Sequence, residues 1–88
     1  METVPIDEIK VDMISVKSSN VARIGYSESA IILAIEMLDG NLYYYLDVPI
    51  EHYNELLHCN DSIPGKIKSI GSYLHRNIKG KYRYIRIK

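Results

Sequence analysis

Two pairs of tyrosines stand at alternate positions in the chain, Tyr43 with Tyr45 and Tyr82 with Tyr84. In an extended strand alternate residues share a face, so each pair would present two rings on one side. The second pair is interleaved with cations. Tyr82, Tyr84, Arg86 and Lys88 would face one way, and Arg83, Ile85 and Ile87 the other. Flat rings stack on unpaired bases, each worth roughly 1–3 kcal/mol, while nearby cations neutralise phosphates. If the two strands were neighbours with aligned faces, an open sheet surface would carry four tyrosines with Arg86 and Lys88, a platform suited to single-stranded RNA. Tyr73 is a further stacking candidate. The competing structural reading is that helices cover this face and that Tyr43 and Tyr45 are core.

The cations extend the same theme. Residues 62–88 hold Lys66, Lys68, Arg76, Lys79, Lys81, Arg83, Arg86 and Lys88 and no acid, a balance of +8. Residues 1–61 hold all eleven acids against Lys10, Lys17 and Arg23, a balance of −8, so the net charge of zero conceals a split. Asymmetry of this kind is expected in chains that meet polyanions. It is equally expected where a basic end lies against an acidic body, within one chain or between two copies. Lys79 and Lys81 also complement the negative end of a helix, and Arg76 has no such structural role.

Other chemistries find little support. A metal site needs three or four converging ligands. His52 and His58 are six residues apart, on different sides of a helix, and Glu51, Glu55 and His58 read as a solvated face; no metal and no cofactor is expected. His75 reads as a surface or helix-end residue. Cys59 borders a loop, and no activating histidine follows from spacing. No nucleophile elbow, carboxylate pair or phosphate-binding glycine loop is present, so a non-enzymatic binding module is expected.

The elements that must position these residues follow from periodicity and turn chemistry. Residues 1–12 read as an arm and 13–88 as a single domain. Met13, Ile14 and Val16 begin a strand, Ser18-Ser19-Asn20 breaks it, and Val21 to Tyr26 is a second strand with Gly25 as a bulge. Ala30 to Leu38 is a third, with Ile31, Leu33, Ile35 and Met37 on one face. Asp39-Gly40 reads as a two-residue hairpin turn with both positions at positive φ. Asn41 to Asp47 returns, with Leu42, Tyr44 and Leu46 on one face and Tyr43 and Tyr45 on the other. Pro49 suits the first position of a helix, with Glu51 favoured near its start and Ile50, Tyr53, Leu56 and Leu57 as its apolar stripe. Residues 59–68 form a loop around Pro64-Gly65. Ser69 caps a second helix whose inner side holds Ile70, Tyr73, Leu74, Asn77 and Ile78, and Gly80 ends it. Tyr82 to Lys88 is the last strand. The order β-β-β-β-α-α-β predicts an α+β domain with a small, mainly antiparallel sheet and two helices packed against it.

With 88 residues the chain is one domain of globular composition, 47% hydrophobic and 25% charged. Its buried fraction is modest at this size, which makes a homo-oligomer an open expectation. All eight aromatics are tyrosine. The single cysteine excludes an internal disulfide framework, no apolar run approaches a membrane span, and the N-terminus lacks a signal-peptide pattern. A cytoplasmic protein without a membrane partner is expected.

The ordered set Val16-Lys17-Ser18-Ser19-Asn20, Ile24-Gly25-Tyr26, Asp39-Gly40, Tyr43-Tyr44-Tyr45, Val48-Pro49, Tyr53 and Leu56-Leu57 resembles the KTSC domain. Ser69-Ile70-Gly71-Ser72-Tyr73-Leu74, Ile78-Lys79 and Tyr82-Arg83-Tyr84 continue the match in order, over roughly residues 13–88. The family is named for its occurrence at the C-terminus of some lysyl-tRNA synthetases, and also occurs as small free-standing proteins of bacteria and phages. The resemblance implies a small α+β domain and an RNA-binding role. Two departures stand out: residues 58–68 look like an inserted loop carrying Lys66 and Lys68, and His75 stands where the family often has Asn.

The functional expectation is therefore binding of RNA or another polyanion through a Tyr/Lys/Arg surface. Two alternatives use the same residues. One is a bacterial or phage protein-interaction or self-associating regulator built on the charge split. The other is a pocket that sequesters a nucleotide-derived signal, as a phage anti-defence protein would.

Overall fold

The turn at Asp39-Gly40 sets the register of the sheet. Gly40 stands at φ 95°, but Asp39 is not at positive φ. The Met37 amide bonds the Asn41 carbonyl at 2.8 Å, and the Gly40 amide bonds the Met37 carbonyl at 3.0 Å. The loop is thus the three-residue kind, with one left-handed position, rather than the expected two-residue turn. Asp39 closes it by accepting from the Asn41 amide and the Asn41 Nδ2, both at 3.0 Å.

The structure, a computed structural model, describes residues 9, 11–16, 18, 20–58 and 70–88. Lys17, Ser19, Cys59, Ser69 and the loop with Pro64-Gly65, Lys66 and Lys68 lie outside the described residues. The order is β1 (Met13–Ser15), β2 (Val21–Ser27), β3 (Ile32–Met37), β4 (Leu42–Leu46), α1 (Ile50–His58), α2 (Ile70–Asn77) and β5 (Tyr84–Arg86). Every strand pairing is antiparallel, and the sheet order is β1-β2-β3-β4-β5. The expected α+β architecture is present. Among the described residues no helix is long and apolar enough to cross a membrane.

Both faces of the sheet are apolar, and each has its own cover. On one, Val21, Ile24, Leu33, Ile35 and Tyr45 pack against Leu56 of α1, Ile70 and Leu74 of α2, and Ile78 beyond it. On the other, Ile32, Ala34, Leu42 and Tyr44 pack against Ile9, Val11 and Met13 of the incoming chain. The Tyr44 hydroxyl donates to the Ile9 carbonyl at 3.0 Å. Gly25 lies beneath this segment and pairs with Met13. A Cβ there would stand 2.5 Å from the Asp12 carbonyl oxygen, so glycine is needed for close approach. The sheet irregularity lies between Val21 and Arg23 instead, which moves the expected bulge away from Gly25.

Three further expectations need correction. Ile31 does not join Leu33 and Ile35 on the core face. It stands at φ 56° and is 46% exposed, because the chain turns there before β3 begins and the alternation breaks. Pro49 immediately precedes α1, and its carbonyl accepts from the His52 amide at 3.1 Å. Tyr82 lies ahead of β5, outside the strand, because the chain is still in the turn that ends α2. That turn has Gly80 at φ 80°, as expected of a residue that stops a helix. The Ile78 and Lys79 amides both reach back to the Leu74 carbonyl.

Candidate functional site

Strands β4 and β5 are neighbours, and their faces align as the tyrosine spacing requires. Tyr43 is paired with Arg86 and Tyr45 with Tyr84, so these four side chains share one face. The rings meet in sequence: Tyr43 and Tyr84 are edge-on at 5.7 Å between centroids, and Tyr84 and Tyr45 are tilted at 5.6 Å. This is the face that the helices cover, but β5 is the outermost strand and the cover ends short of it. Tyr84 is 60% exposed.

An open cleft of about 420 Å³ results. Its sheet side is made by Ile35, Met37, Tyr43, Tyr45 and Tyr84, and the end of α2 supplies Leu74, Lys79 and Gly80. Asp39, from the β3–β4 loop, completes the lining. Apolar floors with a few placed polar groups are typical of small-ligand sites of this volume. Arg86 is fixed nearby, donating from Nη2 to Asn41 Oδ1 at 3.0 Å and from Nε to the Lys88 carbonyl at 3.2 Å. A guanidinium has five N–H donors, so this anchoring leaves others for a ligand.

The five expected stacking residues divide. Tyr43 is half-buried and Tyr84 exposed, and both can offer ring surface to a ligand. Tyr45 is 6% exposed and part of the core. It floors the cleft but cannot be stacked upon, which corrects its expected role. Burial, then the phenol charges of Tyr84 and Tyr43, raise its pKa above the ordinary tyrosine value.

Tyr73 and Tyr82 are elsewhere, held by His52. The His52 Nδ1 lies 2.8 Å from the Tyr73 hydroxyl and its Nε2 3.1 Å from the Tyr82 hydroxyl. Both rings also meet the imidazole edge-on, at 5.9 and 5.6 Å. A histidine bonded through both nitrogens ties α1, α2 and the approach to β5 together. The expected alignment of Tyr82 with Tyr84 therefore fails, since the turn after Gly80 sends Tyr82 toward α1. His52 was invisible as a partner because its spacing to Tyr73 and Tyr82 carries no periodicity. Asp39 was legible only as a turn residue.

The expected cations divide as well. Lys79 lines the cleft and Arg86 flanks Tyr43. Arg83 and Ile85 take the opposite side of the edge strand by alternation. Arg76, Lys81 and Lys88 are exposed. Lys66 and Lys68 lie outside the described residues. Among the described residues the ion pair is Arg23 with Glu36, at 2.7 Å and within the acidic body. Among the described residues no lysine or arginine of the basic end lies within ion-pairing distance of a carboxylate. Nor do the described residues contain a cluster of three or more histidine, cysteine or carboxylate ligands.

The family model of the KTSC domain matches residues 17–82. No curated protein gives a significant match. The crystal structure of the KTSC domain protein YPO2434 from Yersinia pestis is similar to this one with a TM-score of 0.73. It is 26% identical in sequence, and the match covers 90% of this chain and 100% of that one. Three-quarters of the chain thus follows the family pattern, from the break before β2 to the residue Tyr82 ahead of β5, and the chain belongs to the KTSC domain family.

Proposed function

We propose that the protein is a cytoplasmic, non-enzymatic binding module for single-stranded RNA, which it takes through the cleft between α2 and β5. One observation carries this reading: Tyr43 and Tyr84 present ring surface in a cleft lined by Lys79 and flanked by Arg86. An unpaired base fits against the rings, and the cations meet its phosphates. The described cations of the basic end, Arg76, Lys79, Lys81, Arg83, Arg86 and Lys88, are all exposed, which suits a polyanionic partner.

The test is fluorescence anisotropy with labelled single-stranded RNA of mixed sequence over a salt series. Affinity is expected to fall with salt, by a slope near −0.7 per neutralised phosphate. The Lys79→Ala/Arg86→Ala double variant should flatten that slope. Undetectable binding at low salt, or a slope unchanged by the double variant, would refute the proposal.

A second reading, self-association, draws on a different observation. Among the described residues no strand pairs with the outer edge of β5, and Ile85 on that strand is 38% exposed. Open edges template pairing with other chains. Native mass at low and high salt decides this reading, and a monomer throughout would remove it.

A further inference from the structure

A carboxylate is out of place in a cleft for a polyanion unless it meets hydrogen-bond donors. Among the described residues, Asp39 is the one acid that lines this cleft. Its carboxylate is oriented by the two bonds from Asn41, which use half of its roughly four lone-pair sites. The remaining capacity is acceptor-only. Lys79, also on the lining, is donor-only.

We infer that the cleft selects guanine, with Asp39 accepting from the Watson–Crick edge and Lys79 donating to the O6/N7 side. This rests on the RNA-binding reading above and names the base that it takes. Guanine alone among the four bases offers two adjacent donors, N1–H and the N2 amine, which a carboxylate takes with both oxygens. Its O6 and N7 are acceptors and the usual partners of lysine and arginine. Adenine and cytosine each present a single exocyclic amine beside an acceptor that a carboxylate repels. Uracil presents one N–H between two acceptors. The exposed ring of Tyr84 stacks on any base, with Tyr43 edge-on beside it, so discrimination at the Watson–Crick edge falls to Asp39. Asn41 then acts as a positioning residue, holding both the carboxylate and Arg86.

The test uses short oligouridylates in which one residue is replaced by guanosine, inosine, adenosine or cytidine, with affinity read by anisotropy. The guanosine oligomer is expected to bind about ten-fold more tightly than the adenosine one, the scale of a bidentate base contact. Inosine, which lacks the N2 amine, should fall between them. In Asp39→Asn, which keeps an acceptor for the Asn41 amide, the guanosine-to-adenosine ratio should fall to near one. Equal binding of guanosine and adenosine by the native chain would overturn the inference, as would a guanosine preference that survives Asp39→Asn. Either result leaves RNA binding standing. Failure to bind any of the oligomers would overturn the RNA-binding proposal itself, and the base assignment with it.

Discussion

Tyr84 separates stability from binding, since most of its ring lies outside the core. Tyr84→Ala should therefore lower RNA affinity by roughly 1–3 kcal/mol, the scale of one base–aromatic stack. The melting temperature should move little, and Tyr84→Phe should keep the affinity. Loss of both binding and folding, or of neither, would count against the assignment. His52 sets the opposite case. His52→Phe removes a hydrogen-bond partner from the hydroxyls of Tyr73 and Tyr82. A cost of about 1–3 kcal/mol in a urea unfolding series is expected for such a loss, read as a lower midpoint with an unchanged slope. An unchanged midpoint would show that the two bonds are matched by water in the unfolded chain. At this scale the tyrosine-basic pattern was readable and its partition was not. Alternation grouped Tyr43 with Tyr45 and Tyr84 with Arg86, and the pairing of β4 with β5 joins the two groups on one face. Nothing in the spacing distinguished them from Tyr73 and Tyr82, whose partner is a histidine on another element.

The elements show where periodicity informs and where it is silent. The strand alternation of Leu42, Tyr44 and Leu46 against Tyr43 and Tyr45 is apolar on both sides, so it marks a strand without saying which side the helices take. The N-terminal segment resolves this by covering Tyr44, through a close approach that Gly25 permits. Gly25→Ala should force a shift of the Asp12 backbone, with a cost of about 1–3 kcal/mol as for other overpacked sites. Thermal melting would measure it, and a melting temperature equal to the native one would mean that β1 adjusts freely. Ile31 predicts the reverse sign. A β-branched residue in the left-handed region is strained by roughly 1–2 kcal/mol, while Asn tolerates that region and little burial is lost. Ile31→Asn should raise stability by about 1 kcal/mol, and a lower melting temperature would contradict the strain. Apolarity at Ile31 suggested a core strand position, and a backbone dihedral outweighed it.

Across the whole molecule the all-tyrosine aromatic set gives stability an alkaline limit. Burial raises the pKa of Tyr45, Tyr26 and Tyr53 above the ordinary value, with Tyr84 and Tyr43 adding to the first and Glu51 and Glu28 to the second. Tyr26 is further held by its hydroxyl, which donates to the Val48 carbonyl at 2.6 Å, and by stacking on Tyr53. An unfolded tyrosine ionises near pH 10. Below that both states keep the proton and the stabilisation is complete. Above it the unfolded chain loses protons first, so stability falls as pH rises through the higher folded values. The melting temperature should hold to about pH 9 and drop beyond about pH 10, with tyrosinate absorbance rising along the unfolding transition. A constant melting temperature through that range would contradict the shifts. The strand order has a kinetic consequence as well. Strands β1 to β4 each pair with their neighbour in sequence, whereas β5 must wait for both helices and then gains only three residue pairs. Contacts across long sequence separations form late and open first. The cleft therefore owes its outer wall, Tyr84, and the Arg86 that flanks it, to the last segment to dock. A bound ligand should slow amide hydrogen exchange first in 84–86, so the site is completed by a strand whose own tenure its occupant prolongs.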